Sequence, residues 1–278
     1  MKYIKGIILI AFILVSATAQ LQITVGVHIG SHSPFLQEEI RDGNFESLVL
    51  GDSRLLNSSA KISYGKGTEY GIGIGYLTKK NLLFGIDISW LDGDEYNKTI
   101  TFTISSEVET HSGKSFRINP YVQSLIPLST SEKFNVYTRV GALVALNNEI
   151  FITELEEKRN PAFGNGQFEV RYSGGYSFGL VMGTGLCYRH TPSLMFQIGA
   201  KGVFQNYSPE QREVVSFISG GIDLYPSLTT RSRITEYVDE FILDVSAPIN
   251  ESRPSKALKE FFPFSSLGIE LAVRYIFK

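Results

Sequence analysis

The sequence predicts an all-β fold: an eight-stranded antiparallel transmembrane β-barrel with short periplasmic turns and long extracellular loops. Three observations predict it. A secretion signal opens the chain, strands along its whole length alternate apolar with polar residues, and the connections between them alternate short with long.

The N-terminus sets the compartment. Lys2 and Lys5 form a positive n-region, Ile7 to Val15 is an unbroken apolar h-region, and Ala17-Thr18-Ala19 is a small-x-small cleavage site before Gln20. The apolar run is shorter than the ~20 residues of a spanning helix, and the chain turns small and polar from Ser16. The expected division is a signal peptide over 1–19 and one barrel domain over 20–278. Cys187 is the single cysteine, so no internal disulfide can form and a disulfide-stapled secreted scaffold is excluded. With 26 basic and 28 acidic residues and no basic stripe or tail, nothing points to nucleic acid.

Each strand shows the period of two that a half-buried strand requires. Strand one, Leu21 to Gly30, alternates Leu21, Ile23, Val25, Val27 and Ile29 with polar or small residues. Strand two, about Thr68 to Leu77, sets Tyr70, Ile72, Ile74 and Tyr76 against Glu69, Gly71, Gly73 and Gly75. Strand three, about Leu82 to Leu91, sets Phe84, Ile86, Ile88 and Trp90 against Gly85, Asp87 and Ser89. Strands four (about Ser115 to Leu128), five (Phe134 to Leu146), six (Gly175 to Arg189) and seven (Leu194 to Tyr207) repeat the pattern. In strand eight, Leu267 to Phe277, the odd positions are apolar or aromatic and the even ones include Gly268, Glu270, Ala272 and Arg274. Such lengths suit the ~9–11 residues with which a tilted strand crosses a bilayer.

Strand pairs two–three, four–five and six–seven are joined by Thr78–Asn81, Ser129–Lys133 and His190–Ser193, all with turn chemistry. The other connections, about 31–67, 92–114, 147–174 and 208–266, are long. Segregated loop lengths are a barrel property, and closure removes sheet edges that lipid cannot satisfy. The last loop carries apolar strand-like pieces at Val214 to Ile218 and Phe241 to Val245, a turn-rich Gly220 to Leu228, and a short helical composition over Ser255 to Phe262 with Ser255 as N-cap. Strands six to eight are expected to extend outward with this loop folded over the mouth, as a protective lid or as a partner surface.

The inward positions collect Glu69, Asp87, Arg117, Arg139, Arg189, Lys201, Glu270 and Arg274. An eight-stranded barrel is only wide enough for side chains to fill, and buried charges need partners, so a charged network is expected in the lumen. The Gly71-Ile72-Gly73-Ile74-Gly75 run lacks the spacing and following helix of a dinucleotide fingerprint. His28, His32, His111 and His190 have no metal spacing, and His28 and His32 are expected at a polar loop rim. No catalytic set, metal site or cofactor is expected.

With eight strands, alternating loops, the Pro263-Phe264-Ser265-Ser266-Leu267-Gly268-Ile269 entry to the last strand and a terminal Tyr275-x-Phe277, the chain resembles the outer-membrane-protein β-barrel family of Gram-negative bacteria, with the architecture of the OmpA, OmpX and OmpW barrels. The resemblance implies outer-membrane localisation, lipid as surroundings, and recognition of Tyr275 and Phe277 by the barrel-assembly machinery. Lys278 departs from the usual terminal aromatic. The family shares no catalytic site, so it implies no reaction. The expected role is structural or interactive, with an extracellular ligand or protein at the loops. A narrow-lumen transporter or porin for a small or hydrophobic solute, and a lipid-modifying outer-membrane enzyme, are the alternatives.

Overall fold

The computed structural model describes residues 22–35, 38–39, 61–101, 105–128, 130, 133–158, 165–240 and 249–277. The expected signal segment, with Ala17, Ala19 and Gln20, and the apolar piece Phe241 to Val245 lie outside them.

Eight antiparallel strands pair in chain order: β1 (Gln22–Pro34), β2 (Gly67–Leu77), β3 (Leu82–Gly93), β4 (Ser105–Pro127), β5 (Phe134–Lys158), β6 (Tyr176–Thr191), β7 (Leu194–Tyr207) and β8 (Ser266–Ile276). β8 also pairs with β1, from Thr24↔Ile276 to Pro34↔Ser266, so the eight form a closed ring. These are the strands read from the alternation. The facing follows the same rule: Tyr70, Ile72, Ile74 and Tyr76 point outward and are exposed, while Glu69, Gly71, Gly73 and Gly75 are buried inside. Glycines on β2 face the interior because larger groups already stand there. A Cβ at Gly71 would come within 2.7 Å of the His28 ring, and one at Gly73 within 2.1 Å of Asp87 Oδ1.

β4 and β5, at 23 and 25 residues, continue far beyond the ring, so the outward extension is made by these strands and not by strands six to eight. The register shifts between Lys114 and Phe116, and Asn147 adopts φ 50° on the facing strand, where an asparagine tolerates the left-handed region better than most residues. Such a bulge bends and twists the pair as it leaves the ring. The projecting halves carry Tyr96–Thr101 on the β4 side and Gly166–Ser173 on the β5 side, then Gln211–Ser219, Ile234–Val238 and Ser255–Leu258. The helix expected over Ser255 to Phe262 is therefore corrected. Ser255–Leu258 is a strand paired in parallel with Ile234–Val238, because inter-strand bonding there outweighs the marginal stability of a two-turn helix. Gly220 to Leu228 is a turn with the 3₁₀ segment Tyr225–Ser227. No helix among the described residues is long and apolar enough to cross a membrane.

Candidate functional site

The interior is stratified, and β7 reads as a section through it: Met195, Gln197, Gly199, Lys201, Val203, Gln205 and Tyr207 all face inward, from the short-turn end to the long-loop end. The bottom tier is apolar: Leu77, Leu83, Leu125, Tyr137, Cys187, Met195 and Ile276 are buried together. Cys187 is thus a small interior side chain. The top tier is aromatic, with Tyr64, Leu91, Ile150, Tyr207 and Phe264 in one buried cluster. Residues from two long connections make that plug. Tyr64 N donates to Pro263 O at 2.9 Å, Ser63 Oγ donates to Ser265 O at 2.6 Å, and Phe264 N donates to Gln205 O at 2.9 Å. Beneath it Ser115, Asn148, Ser177 and Gln205 form a neutral hydrogen-bonded chain, including Ser115 Oγ to Asn148 Oδ1 at 2.6 Å.

Between these tiers lie the charges. Glu69 accepts from Arg117 Nη1 at 2.8 Å and pairs with Lys201. Lys201 Nζ also lies 3.1 Å from Glu270 Oε2. Arg139 Nη1 is 3.1 Å from both Glu270 Oε1 and Asp87 Oδ2, and Arg274 Nη2 is 3.4 Å from Asp87 Oδ1. Arg139 donates from Nε and Nη2 to Gln123 Oε1, Arg274 donates from Nε to Gln197 Oε1, and both guanidiniums lie over the Tyr121 ring, at 4.5 and 5.5 Å. Of the charged residues singled out in the sequence, Glu69, Asp87, Arg117, Arg139, Lys201, Glu270 and Arg274 meet in this tier. Arg189 does not: it is half-buried near the short-turn end, with no ion pair to the network.

His28 and His32 correct the expectation of a polar rim. Both are buried on the inner face of β1, with Nε2 atoms 3.6 Å from Glu69 carboxylate oxygens. The alternation of β1 carried this signal, since His28 and His32 share parity with the inward Gly26 and Gly30. Two chemistries suggested by these contacts fail on charge and access. His28, Glu69 and Glu270 bring ligand atoms close enough for a metal ion, but Lys201 already bridges both carboxylates, and a divalent cation beside Arg117 and Arg139 would add to an unneutralised positive charge. Ser266 Oγ lies 3.3 Å from His32 Nδ1, which gives the outline of a serine–histidine–glutamate relay with Glu69. Ser266 is fully buried beneath the Phe264 plug, the His32–Glu69 contact exceeds hydrogen-bond length, and the carboxylate is spent on Arg117 and Lys201.

The outer surface of the ring is the complement of its interior. Between its ends the outward positions carry no charged side chain, and residues such as Val27, Ile72 and Ile269 are 54–63% exposed. Aromatic groups mark both rims: Tyr70, Trp90 and Phe116 in contact toward the long loops, and Phe134 with Tyr188, and Tyr275 with Phe277, toward the short turns. One ladder is incomplete. Pairing between β4 and β5 passes from Ile118↔Val144 to Tyr121↔Gly141, skipping Asn119 and Pro120. Proline has no N–H to give, and the side-chain amide of the buried Asn119 has no hydrogen-bond partner. Outside this gap lies an apolar groove of about 780 Å³ bounded by Ile86, Pro120, Val122, Val140, Ala142 and Leu180.

On the projecting sheet, Glu107, Glu109 and Glu154 converge. His111 donates to Glu109 and holds its carboxyl below the ordinary value, whereas burial, with Glu107 and Glu109 alongside, raises that of Glu154. A carboxyl raised on folding subtracts stability in full above its folded pKa, and the penalty shrinks as pH falls from there and is gone below its unfolded pKa. Glu154→Gln should therefore slow hydrogen exchange of the Thr153–Leu155 amides at pH 8, with the difference gone below pH ~4; an equal effect at both pH values would contradict this origin.

No family model matches the sequence, and no curated protein matches it. Among solved structures, the chain is similar to the crystal structure of neisserial surface protein A (NspA), over 92% of this chain and 96% of that one, at 12% identity and a TM-score of 0.37.

Proposed function

We propose that this protein is an integral outer-membrane β-barrel whose filled lumen makes it a rigid mount for a folded surface sheet, with an interaction role outside the cell and no enzymatic activity. The observation that carries the reading is the inversion of polarity: charge inside the ring, an uncharged apolar band outside it, and aromatic residues at both rims. In water that arrangement would expose a large apolar surface at no gain; in lipid it buries that surface, and closure of the ring leaves no unpaired strand edge within it. Insertion after signal cleavage between Ala19 and Gln20, and delivery by the barrel-assembly machinery through Tyr275 and Phe277, belong to the same proposal. Its partners are outer-membrane lipid and an extracellular ligand or protein at the loops. Against catalysis stands the burial of the one serine–histidine–carboxylate contact described above.

The apolar tier below and the aromatic plug above support a closed lumen. Folded protein in a planar bilayer, checked for heat-modifiable gel mobility, should show no steady conductance. Reproducible conductance would overturn the filled-lumen reading in favour of a transporter. That second reading has one observation of its own, the lapse at Asn119–Pro120 beneath the outer groove, where an apolar solute could part β4 from β5.

A further inference from the structure

Three rows of outward side chains lie one above another on β2, β3 and β4. The register sets them: Ile72 pairs with Ile88 and Ile88 with Ile118, Tyr70 pairs with Trp90 and Trp90 with Phe116, and Asp92 pairs with Lys114. Successive rows are two residues apart along each strand, ~7 Å, so an alkyl row, an aromatic row and a charged row follow closely on one side of the ring. The charged row continues to Glu149 on β5, the partner of Lys114.

The bulge shapes this region. Asn147 and Asn148 together stand opposite Ser115, with Asn147 exposed and Asn148 turned inward. An open groove of about 510 Å³ spans the aromatic and charged rows, with Asn147 and Glu149 in its wall. Tyr70 and Trp90 are 50% and 43% exposed there. Lys114 Nζ and Asp92 Oδ1 are 3.7 Å apart, beyond hydrogen-bond length, and both side chains are more than half exposed, so their bonding capacity is not used up on each other.

The lining selects among ligand classes. Two carboxylates against one ammonium oppose a phosphate. The ring centroids are 6.3 Å (Tyr70–Trp90) and 5.0 Å (Trp90–Phe116) apart, which leaves no gap between them to cage a quaternary ammonium. A sugar supplies what both rows require: an apolar C–H face for the rings, and hydroxyls that donate to Asp92 and Glu149 and accept from Lys114. The alkyl row directly beneath calls for a ligand whose lower part is hydrocarbon.

We propose that this groove binds the sugar headgroup of a membrane glycolipid, with an alkyl chain laid along Ile72, Ile88 and Ile118. The inference rests on the outer-membrane barrel reading, which sets the aromatic row at headgroup level, and it names the class of a lipid partner that the reading leaves general.

Trp90 is the only tryptophan of the chain and reports from inside the groove. In the test the full chain is refolded into phosphatidylcholine vesicles, and glucosyl diacylglycerol is raised at a constant ratio of total lipid to protein. Trp90 emission should change and saturate, whereas diacylglycerol with the same chains and no sugar should give no saturable change. Asp92→Ala should raise the half-saturating fraction about tenfold, the worth of one charge-assisted hydrogen bond. Its heat-modifiable mobility should stay that of the native chain, because an exposed ion pair contributes little to folding. Identical titrations with the two lipids would overturn the proposal, as would an unaltered response in Asp92→Ala. Saturation by free glucose at the same effective concentration would assign a soluble sugar and overturn the membrane source. Heat-modifiable mobility in the same vesicles separates the two readings. A folded barrel without a sugar response removes this inference and leaves the barrel standing; a chain that does not insert overturns both.

Discussion

Replacing Glu69 by glutamine should destabilise the protein by about 3–5 kcal/mol, the cost typical of breaking a buried ion pair from one side. Arg117 is the reason. It is fully buried, Glu69 is its acidic partner, and two of its guanidinium nitrogens already lack hydrogen-bond partners. The substitution keeps shape and volume, so the loss is electrostatic and not a cavity. It also strips Lys201 of one of its two carboxylates and raises the surplus of positive charge. Arg139→Met offers the contrast. After it, Glu69 still pairs with Arg117, Glu270 with Lys201, and Asp87 with Arg274. It should cost clearly less than Glu69→Gln, although Arg139 makes more contacts. Urea midpoints of both variants, compared at unchanged slope, decide the matter; a smaller loss for Glu69→Gln would mean that pairing does not govern the interior.

Leu271→Arg should cost about 2–4 kcal/mol in lipid vesicles, the penalty of placing a guanidinium on the lipid face at mid-membrane. Leu271 lies at the middle of β8 and is 49% exposed on the outer face, while its neighbour Ala272 is 5% exposed and faces His28 across the β1 ladder. Ala272→Ser should be nearly silent. Because successive strand residues face opposite ways, the pair tests facing directly. Equal tolerance at both positions would refute an outer surface embedded in hydrocarbon.

The ring was legible in the sequence because its two faces obey different solvents. Every ring strand carries the period of two, and the parity that puts Leu271 outside puts Glu270 and Arg274 inside. The extension was not legible for the same reason turned round. Residues 105–114 of β4 and 147–158 of β5 leave the ring, so neither face needs to be uniformly apolar, and Glu107, Glu109 and Glu154 interrupt the pattern. The strand at Ser255–Leu258 has the local composition of a helix because its pairing partner, Ile234–Val238, lies some twenty residues earlier and leaves no local trace. Tyr64 and Phe264 form a plug only through contacts between distant loops, which no periodicity encodes. Arg189 shows the limit of parity. It has an inward register, but its level near the turn takes it away from the acids.

The pairing of β1 with β8 orders events in time. The register joining Thr24 to Ile276 spans nearly the whole chain, so the first ring strand keeps an open edge until the last one arrives. Such a closure has the highest sequence separation the fold contains, and long-range pairings of this kind are slow and leave edges exposed while they wait. The same strand brings Glu270 and Arg274, which complete the partners of Lys201, Arg139 and Asp87. Shutting the wall and completing the ion pairs inside it are one event, and a chain halted short of it would leave Lys201, Arg139 and Asp87 each short of a partner beside an unpaired edge.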